Sequence, residues 1–272
     1  LSFSNHKTPI TNANTLKLAL QYTHDFDAIV ESFPHNNDMA NGGVMHEGAV
    51  STALGLNGIP TVVESMQLQR DLDVLKYTKG KLHIPTLSTE ASTALIKAAK
   101  KAKQDVSCSV AIHNLFFTDE ALQGFDANAK LVPPLREESD QKALQKALLD
   151  GVIDMVTSDH QPLNSELKNV ELDSAHFGSI GLEHSFGCLL SMFSITETIE
   201  LLTRGKSRFG IAEHTIEVGA TADIALFTPH GTSEISKASI FSSSKNSLFI
   251  GQTLPGKVFG VVAQGKSKVY NA

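Results

Sequence analysis

This sequence predicts a parallel α/β protein with a small all-β tail, and three observations carry that expectation. Before residue 160, short apolar runs of strand character alternate with stretches whose apolar residues recur at helical spacing. That is the order of a parallel sheet joined by right-handed crossovers. The run Val152-Ile153-Asp154-Met155-Val156 then ends in Thr157-Ser158-Asp159-His160. A buried strand thus opens into an acid and an imidazole, and parallel α/β proteins present their chemistry at the carboxyl ends of strands. From residue 215 the helical spacing is gone, and strand-like runs punctuated by Gly219, Gly256 and Gly265 replace it.

Taken in order, Leu1-Ser2-Phe3-Ser4 reads as a strand end, and Asn5-His6-Lys7-Thr8-Pro9 as a polar loop. Leu16, Ala19 and Leu20 share one face of a helix over residues 15–23. Residues 27–30 form a short buried strand. The Asn- and Gly-rich stretch 31–58 reads as one long loop, and loops of that length are usually functional lids or mobile segments. Residues 61–76 make an amphipathic helix with Val62, Met66, Leu68, Leu72 and Leu75 inward. A strand at 81–84 precedes a helix over 91–103 with Ala91, Leu95, Ala98 and Ala102 inward. The strand 105–112 ends at His113-Asn114. Ser139 caps a helix over 140–150, with Leu144, Ala147 and Leu148 on one face and Gly151 as the stop. Ser194 and Glu197 are spaced as a capping box for a helix reaching Thr203. In the tail, strands are expected at Ile216 and Val218, at 223–227, at 257–264 and at Lys268-Val269-Tyr270, with an exposed turn at Ser242-Ser243-Ser244. The domain boundary is placed between a body of residues 1–214 and a β-rich tail of 215–272.

Composition narrows the function. The 272 residues are 41% hydrophobic, enough for a sizeable core. With a net charge of -6 and no basic stripe, nucleic acid and anionic membrane are not expected partners. No run approaches the roughly 18 apolar residues of a spanning helix, and the first residues carry no signal-peptide pattern. The two cysteines, Cys108 and Cys188, sit in apolar stretches. They read as reduced, buried thiols in a cytoplasmic protein.

Several segments together resemble the dihydroorotase family of the amidohydrolase superfamily, in its bacterial, allantoinase-like branch. They are Gly42-Gly43-Val44-Met45-His46-Glu47-Gly48, Pro133-Pro134-Leu135-Arg136, Asp150-Gly151-Val152-Ile153-Asp154 and Thr157-Ser158-Asp159-His160-Gln161-Pro162. Phe177-Gly178-Ser179-Ile180-Gly181-Leu182-Glu183 follows, then Gly219-Ala220-Thr221-Ala222-Asp223-Ile224 and Gly251-Gln252-Thr253-Leu254-Pro255-Gly256-Lys257-Val258. Their shared order carries the resemblance. It implies a TIM-type (β/α)8 barrel with a small β-sandwich remnant at the C-terminus, and one or two zinc ions at the carboxyl face of the barrel. The implied reaction is reversible hydrolysis of the cyclic amide of dihydroorotate to carbamoyl aspartate. Asp159 takes the position of the family's proton-transferring aspartate, and Phe177 and Gly178 that of its substrate loop.

The resemblance also exposes departures. It places residue 1 near the family's fourth strand, so the first strands of a barrel of about 250 residues are missing. The expectation is that upstream residues or another chain cover the open edges of the sheet. No His-x-His pair of zinc ligands occurs anywhere in the chain. Where the family has an acidic pair this sequence has Asn5-His6; where it has two further histidines the sequence has Val30-Glu31 and Thr86. Substrate-binding Asn and His are replaced by Val132 and Leu163. Zinc takes three or four donors at about 2.0–2.3 Å, so no metal ligand is assigned, and zinc is expected to be absent or weakly held. Glu31 is the candidate replacement ligand. His83 and His113 are read as structural, and His6, His24, His35 and His46 as solvated loop residues. Arg136 either makes an ion pair at the barrel edge or touches ligand. The resulting expectation is a dihydroorotase-like protein of pyrimidine biosynthesis with a degraded metal site. It acts as a structural partner, of aspartate transcarbamoylase as some inactive members of the family do, or in a homo-oligomer. The alternative is an active metal-dependent dihydroorotase or related cyclic amidohydrolase with ligands supplied upstream.

Overall fold

The computed structural model describes residues 2–212 and 215–269. Its first unit takes Leu1–Gly181 and Ser242–Leu248, its second Leu182–Phe241 and Phe249–Ala272. The composition shift expected at 214/215 thus falls inside the second unit, and the compact units part earlier, at 181/182.

In chain order the first unit contains β1 (Ser2–Ser4), α1 (Ala13–His24), β2 (Ile29–Glu31), α2 (Asn37–Ala40), β3 (Met45–His46), α3 (Ala49–Leu54), β4 (Gly58–Ile59) and α4 (Val62–Thr78). It continues with β5 (Lys81–Ile84), α5 (Glu90–Lys101), β6 (Val106–Ala111), α6 (Ile112–Phe116), α7 (Glu138–Leu149), β7 (Met155–Thr157) and α8 (Ser165–Lys168). Among the described residues the main sheet has the order β1-β2-β5-β6-β7, and every neighbouring pair is parallel. The predicted parallel α/β architecture is therefore present, with β1 and β7, three residues each, as the two edges. Local signals start the helices: the Asn12 side chain accepts from the Asn14 and Thr15 amides, and Thr89 accepts from the Ser92 amide.

Several expectations need correction. Ser139 does not cap its helix but lies inside it, since α7 begins at Glu138 with Glu137 at the N-cap position. The stretch 31–58 is not one open loop: it holds α2, α3 and the miniature parallel sheet β3-β4. Two of its glycines serve close packing. A Cβ on Gly58 would lie 2.5 Å from Glu47 Cα, and one on Gly43 2.6 Å from the Gly58 carbonyl. The inner face of α4 is also different. Val62 and Met66 are 40% and 48% exposed, whereas Glu64 and Asp71 are buried. Both acids are hydrogen-bond acceptors, which a pattern that turns charges outward cannot foresee. On α5 the buried positions are Ser92, Thr93, Ile96 and Ala99, one residue on from the expected set. The alanines carry too little apolar surface to fix the face, and Ile96 decides it. Lastly, the strand expected at 152–156 is Met155–Thr157. Asp154 precedes it, accepting from the Cys108 amide at 2.8 Å and from Lys100 Nζ at 2.7 Å.

The second unit contains α9 (Ser185–Met192), α10 (Ile195–Thr203), β8 (Ile224–Glu234), β9 (Thr253–Ala263) and β10 (Lys266–Val269). The strands form an antiparallel sheet in the order β10-β9-β8. The Ser194–Glu197 capping box starts α10. Phe186 and Phe227 pack with ring centroids 4.9 Å apart. Ile216 and Val218 lie outside any strand and are fully solvated, having no sheet neighbour to cover them. Leu1 and Tyr270, expected at strand ends, lie outside the described residues. Nor is the region of the three serines only an exposed turn: it leads into Asn246, Ser247 and Leu248, which are buried in the first unit. Cys108 and Cys188 are buried free thiols. Among the described residues no helix is long and apolar enough to cross a membrane.

Candidate functional site

Asp159 stands two residues past the end of β7 in a left-handed conformation, φ +43°, uncommon for a non-glycine residue. Its amide donates to Thr157 Oγ1 at 3.3 Å. Its Oδ2 accepts from Lys7 Nζ at 2.7 Å, and its Oδ1 from Gln161 Nε2 at 3.2 Å. The Lys7 ammonium also donates to the Val132 carbonyl. The two side chains of the ion pair are only 15% and 10% exposed. Burial pushes the Lys7 pKa down, and the adjacent Asp159 opposes that shift.

Gly178 packs against Gln161. At φ +134° it occupies a region that L side chains rarely adopt, and a Cβ there would meet Gln161 Oε1 at 2.8 Å. Gln161 is the residue that reaches Asp159, so Gly178 and Asp159 share a neighbour. Phe177 is half-buried beneath Lys130, whose Nζ sits 4.8 Å from the ring centroid. That ammonium is committed to the Leu172 and Asp173 carbonyls at 2.9 and 3.0 Å. His160 and Ser179 form an isolated parallel bridge, and the Gln161 amide donates to the Ser179 carbonyl at 3.0 Å. Asn246 locks this pairing. Its Nδ2 donates to the Gln161 carbonyl at 2.9 Å, and its Oδ1 accepts from the Leu163 amide at 3.1 Å.

The remaining candidates divide. His83 is buried with Nδ1 2.9 Å from Ser107 Oγ, and His113 is buried against Gly181. Thr86 is buried at φ +49°, and its hydroxyl has no hydrogen-bond partner among the described residues. Glu31 ends β2, in register with Ser4 and His83. His6 and His24 are exposed as expected. His35 and His46 are not solvated: both are buried, because the segment carrying them is folded. Arg136 explains much of that folding. It is 3% exposed, and its Nη1 reaches His46 Nδ1 at 3.0 Å and the Ile59 carbonyl at 2.9 Å, while its Nε reaches Ser88 Oγ at 3.1 Å. Buried Glu64 accepts from the Ser88 and Thr89 amides and from both hydroxyls. Arg136 therefore braces the β3-β4 segment.

Zinc requires several N, S or O donors converging on one point. Among the described residues no three His, Cys, Asp or Glu side chains gather in that way, and Asp159 is already bonded to an ammonium. Among the described residues, those around Asp159 do not by themselves form such a donor set.

Sequence reasoning missed Lys7, Gln161 and Asn246. No local pattern links Lys7 to an acid 152 residues on. Asn246 carried one faint signal, an amide side chain just after a serine run and just before the apolar Leu248-Phe249-Ile250.

No family model matches the chain. It is 36% identical to a dihydroorotase of Pelotomaculum thermopropionicum over 98% of its own length and 64% of the relative's. It is 38% identical to a dihydroorotase of Carboxydothermus hydrogenoformans over 94% and 61%. The chain thus spans under two thirds of the length of these relatives. Among solved structures, an L-hydantoinase (dihydropyrimidinase) from Arthrobacter aurescens superposes with a TM-score of 0.85 at 21% identity, covering 99% of this chain and 65% of that one. A dihydropyrimidinase from Brevibacillus agri gives 0.86 at 23% identity, covering 99% and 64%. At such identities the structural likeness speaks for the fold alone, that of part of a TIM-type barrel. Over nearly all of its own length, this chain is homologous to the dihydroorotases and belongs with that family.

Proposed function

We propose that this chain is a dihydroorotase-like protein of pyrimidine biosynthesis that works in the cytoplasm as a structural partner rather than as a hydrolase. The Lys7–Asp159 pair carries the reading. A general base must reach the proton it takes, and here one carboxylate oxygen is held by an ammonium at 2.7 Å and the other by Gln161. Val132 and Leu163, where the family resemblance calls for Asn and His, remove two groups that would orient a charged substrate. The proposed partner is aspartate transcarbamoylase, with self-association as the other arrangement. The test measures interconversion of dihydroorotate and carbamoyl aspartate, zinc content, and copurification with transcarbamoylase. No turnover together with a stable complex is expected. Near-stoichiometric zinc, with turnover abolished by Asp159→Asn, overturns the reading.

One observation favours a second reading: the relatives are named dihydroorotase and extend well beyond the matched span. An active hydrolase whose remaining ligands come from outside these 272 residues would give that turnover.

A further inference from the structure

The Lys7–Asp159 pair also has a place in the sheet. Lys7 lies three residues past the end of β1 and Asp159 two past the end of β7, and β1 and β7 are the two edges. Four strand spacings separate them, about 19 Å across a flat sheet at roughly 4.8 Å per strand. Yet Nζ and Oδ2 are 2.7 Å apart. The same ammonium takes the Val132 carbonyl from a third segment.

We propose that Lys7 is a built-in cation, occupying at Asp159 the place of a metal ion and clasping the two edges of the five-stranded sheet across its carboxyl mouth. The proposal deepens the reading above and shares its premise that no metal sits on Asp159. Both side chains are largely withdrawn from water. A buried charge that loses its partner is strongly destabilising, whereas losing both partners together costs less. A lysine supplies charge without the multiple donor geometry that zinc demands. The clasp therefore does electrostatically, from one side chain of this chain, what a metal ion held by several imidazoles would otherwise do.

The test is a double-mutant cycle on the whole 272-residue chain, read by urea unfolding with and without added zinc. Lys7→Met should raise the unfolding equilibrium constant by about thirtyfold or more, and by under about threefold when Asp159 is already Asn. Zinc should leave the wild-type midpoint unchanged. If Lys7→Met does not fold, the wild-type chain still answers: nitrogen-15 spectra should show a slowly exchanging Lys7 ammonium that Asp159→Asn releases. A Lys7 ammonium exchanging as fast as surface lysines overturns the clasp. An additive cycle without a zinc effect overturns the clasp and leaves the functional reading standing. A zinc-dependent rise of the midpoint that Asp159→Asn abolishes overturns both.

Discussion

Replacing Glu64 by leucine probes whether the polar centre beneath the β3-β4 segment is a structural necessity. The carboxylate is 2% exposed and accepts from the Ser88 and Thr89 amides at 3.0–3.1 Å. The Ser88 hydroxyl, which it also holds, in turn receives Arg136 Nε. Leucine would orphan two buried amides, at about 1–3 kcal/mol each. It would also leave the Arg136 guanidinium without the acid that shares its Ser88 bridge. Removing one member of a buried charged set typically costs about 3–5 kcal/mol, so about 4 kcal/mol is expected. With a urea slope of about 3 kcal/mol/M, the upper value for small proteins, the midpoint drops by about 1.3 M. Glu64→Gln keeps the shape and one acceptor, and about half that loss is expected. Circular dichroism during urea unfolding provides the readout. A loss below about 1 kcal/mol for leucine, or equal losses for leucine and glutamine, would refute the reasoning.

Other outcomes follow from the same geometry. Burial, with Arg136 beside it, holds the His46 pKa below the ordinary imidazole value. The fold thus favours the neutral ring, so this group's stabilisation is complete above the unfolded imidazole pKa of about 6.5 and declines as pH falls below it. His46→Gln should flatten the fall in unfolding midpoint between pH 7.5 and pH 5.5; an unchanged slope would count against the assignment. Gly181→Ala places a Cβ 2.2 Å from the Ser158 carbonyl and 2.8 Å from His113 Cε1. Calorimetry should show a loss of about 1–3 kcal/mol, and a neutral result would mean that this turn yields easily. Burial pushes the Cys108 thiol up to about 12 and Cys188 higher still. Neither should react with a disulfide reagent at pH 8 until the chain unfolds, and rapid labelling of the native protein would contradict the burial. Asn246→Ala removes bonds to the Gln161 carbonyl and the Leu163 amide. It should cost about 1–3 kcal/mol in urea unfolding and broaden the amide signals of His160, Gln161 and Leu163. Sharp, unshifted signals would remove Asn246 from its positioning role.

The alternation of strand and helix was legible because period and punctuation are local. The Ser194–Glu197 pair announces its helix within four residues and is found at the start of α10. The face of α4 was not legible. Glu64 and Asp71 look like solvent-side charges until Ser88, Thr89 and Ser32 arrive from elsewhere in the chain to bond them, beside the Arg70 that adjoins Asp71 on the helix. The stretch 31–58 was misread for a related reason, since Gly43 and Gly58 signal flexibility locally and close approach only once folded. At the candidate site, the sequence supplied Asp159 and its strand through motif order. It concealed Lys7, because the pairing spans the whole sheet and a lysine in a polar loop has no distinguishing context.

The threading of the chain through its two units bears on how the molecule can be divided. Asn246 returns from a long excursion to bolt down the segment next to Asp159, so the first unit is discontinuous in sequence. No single cut separates the units. A fragment ending at residue 214 or 241 loses the bolt even though every strand of the parallel sheet remains. Dissecting this protein therefore calls for grafting residues 242–248 back onto the shortened body, as a loop closure rather than a terminus.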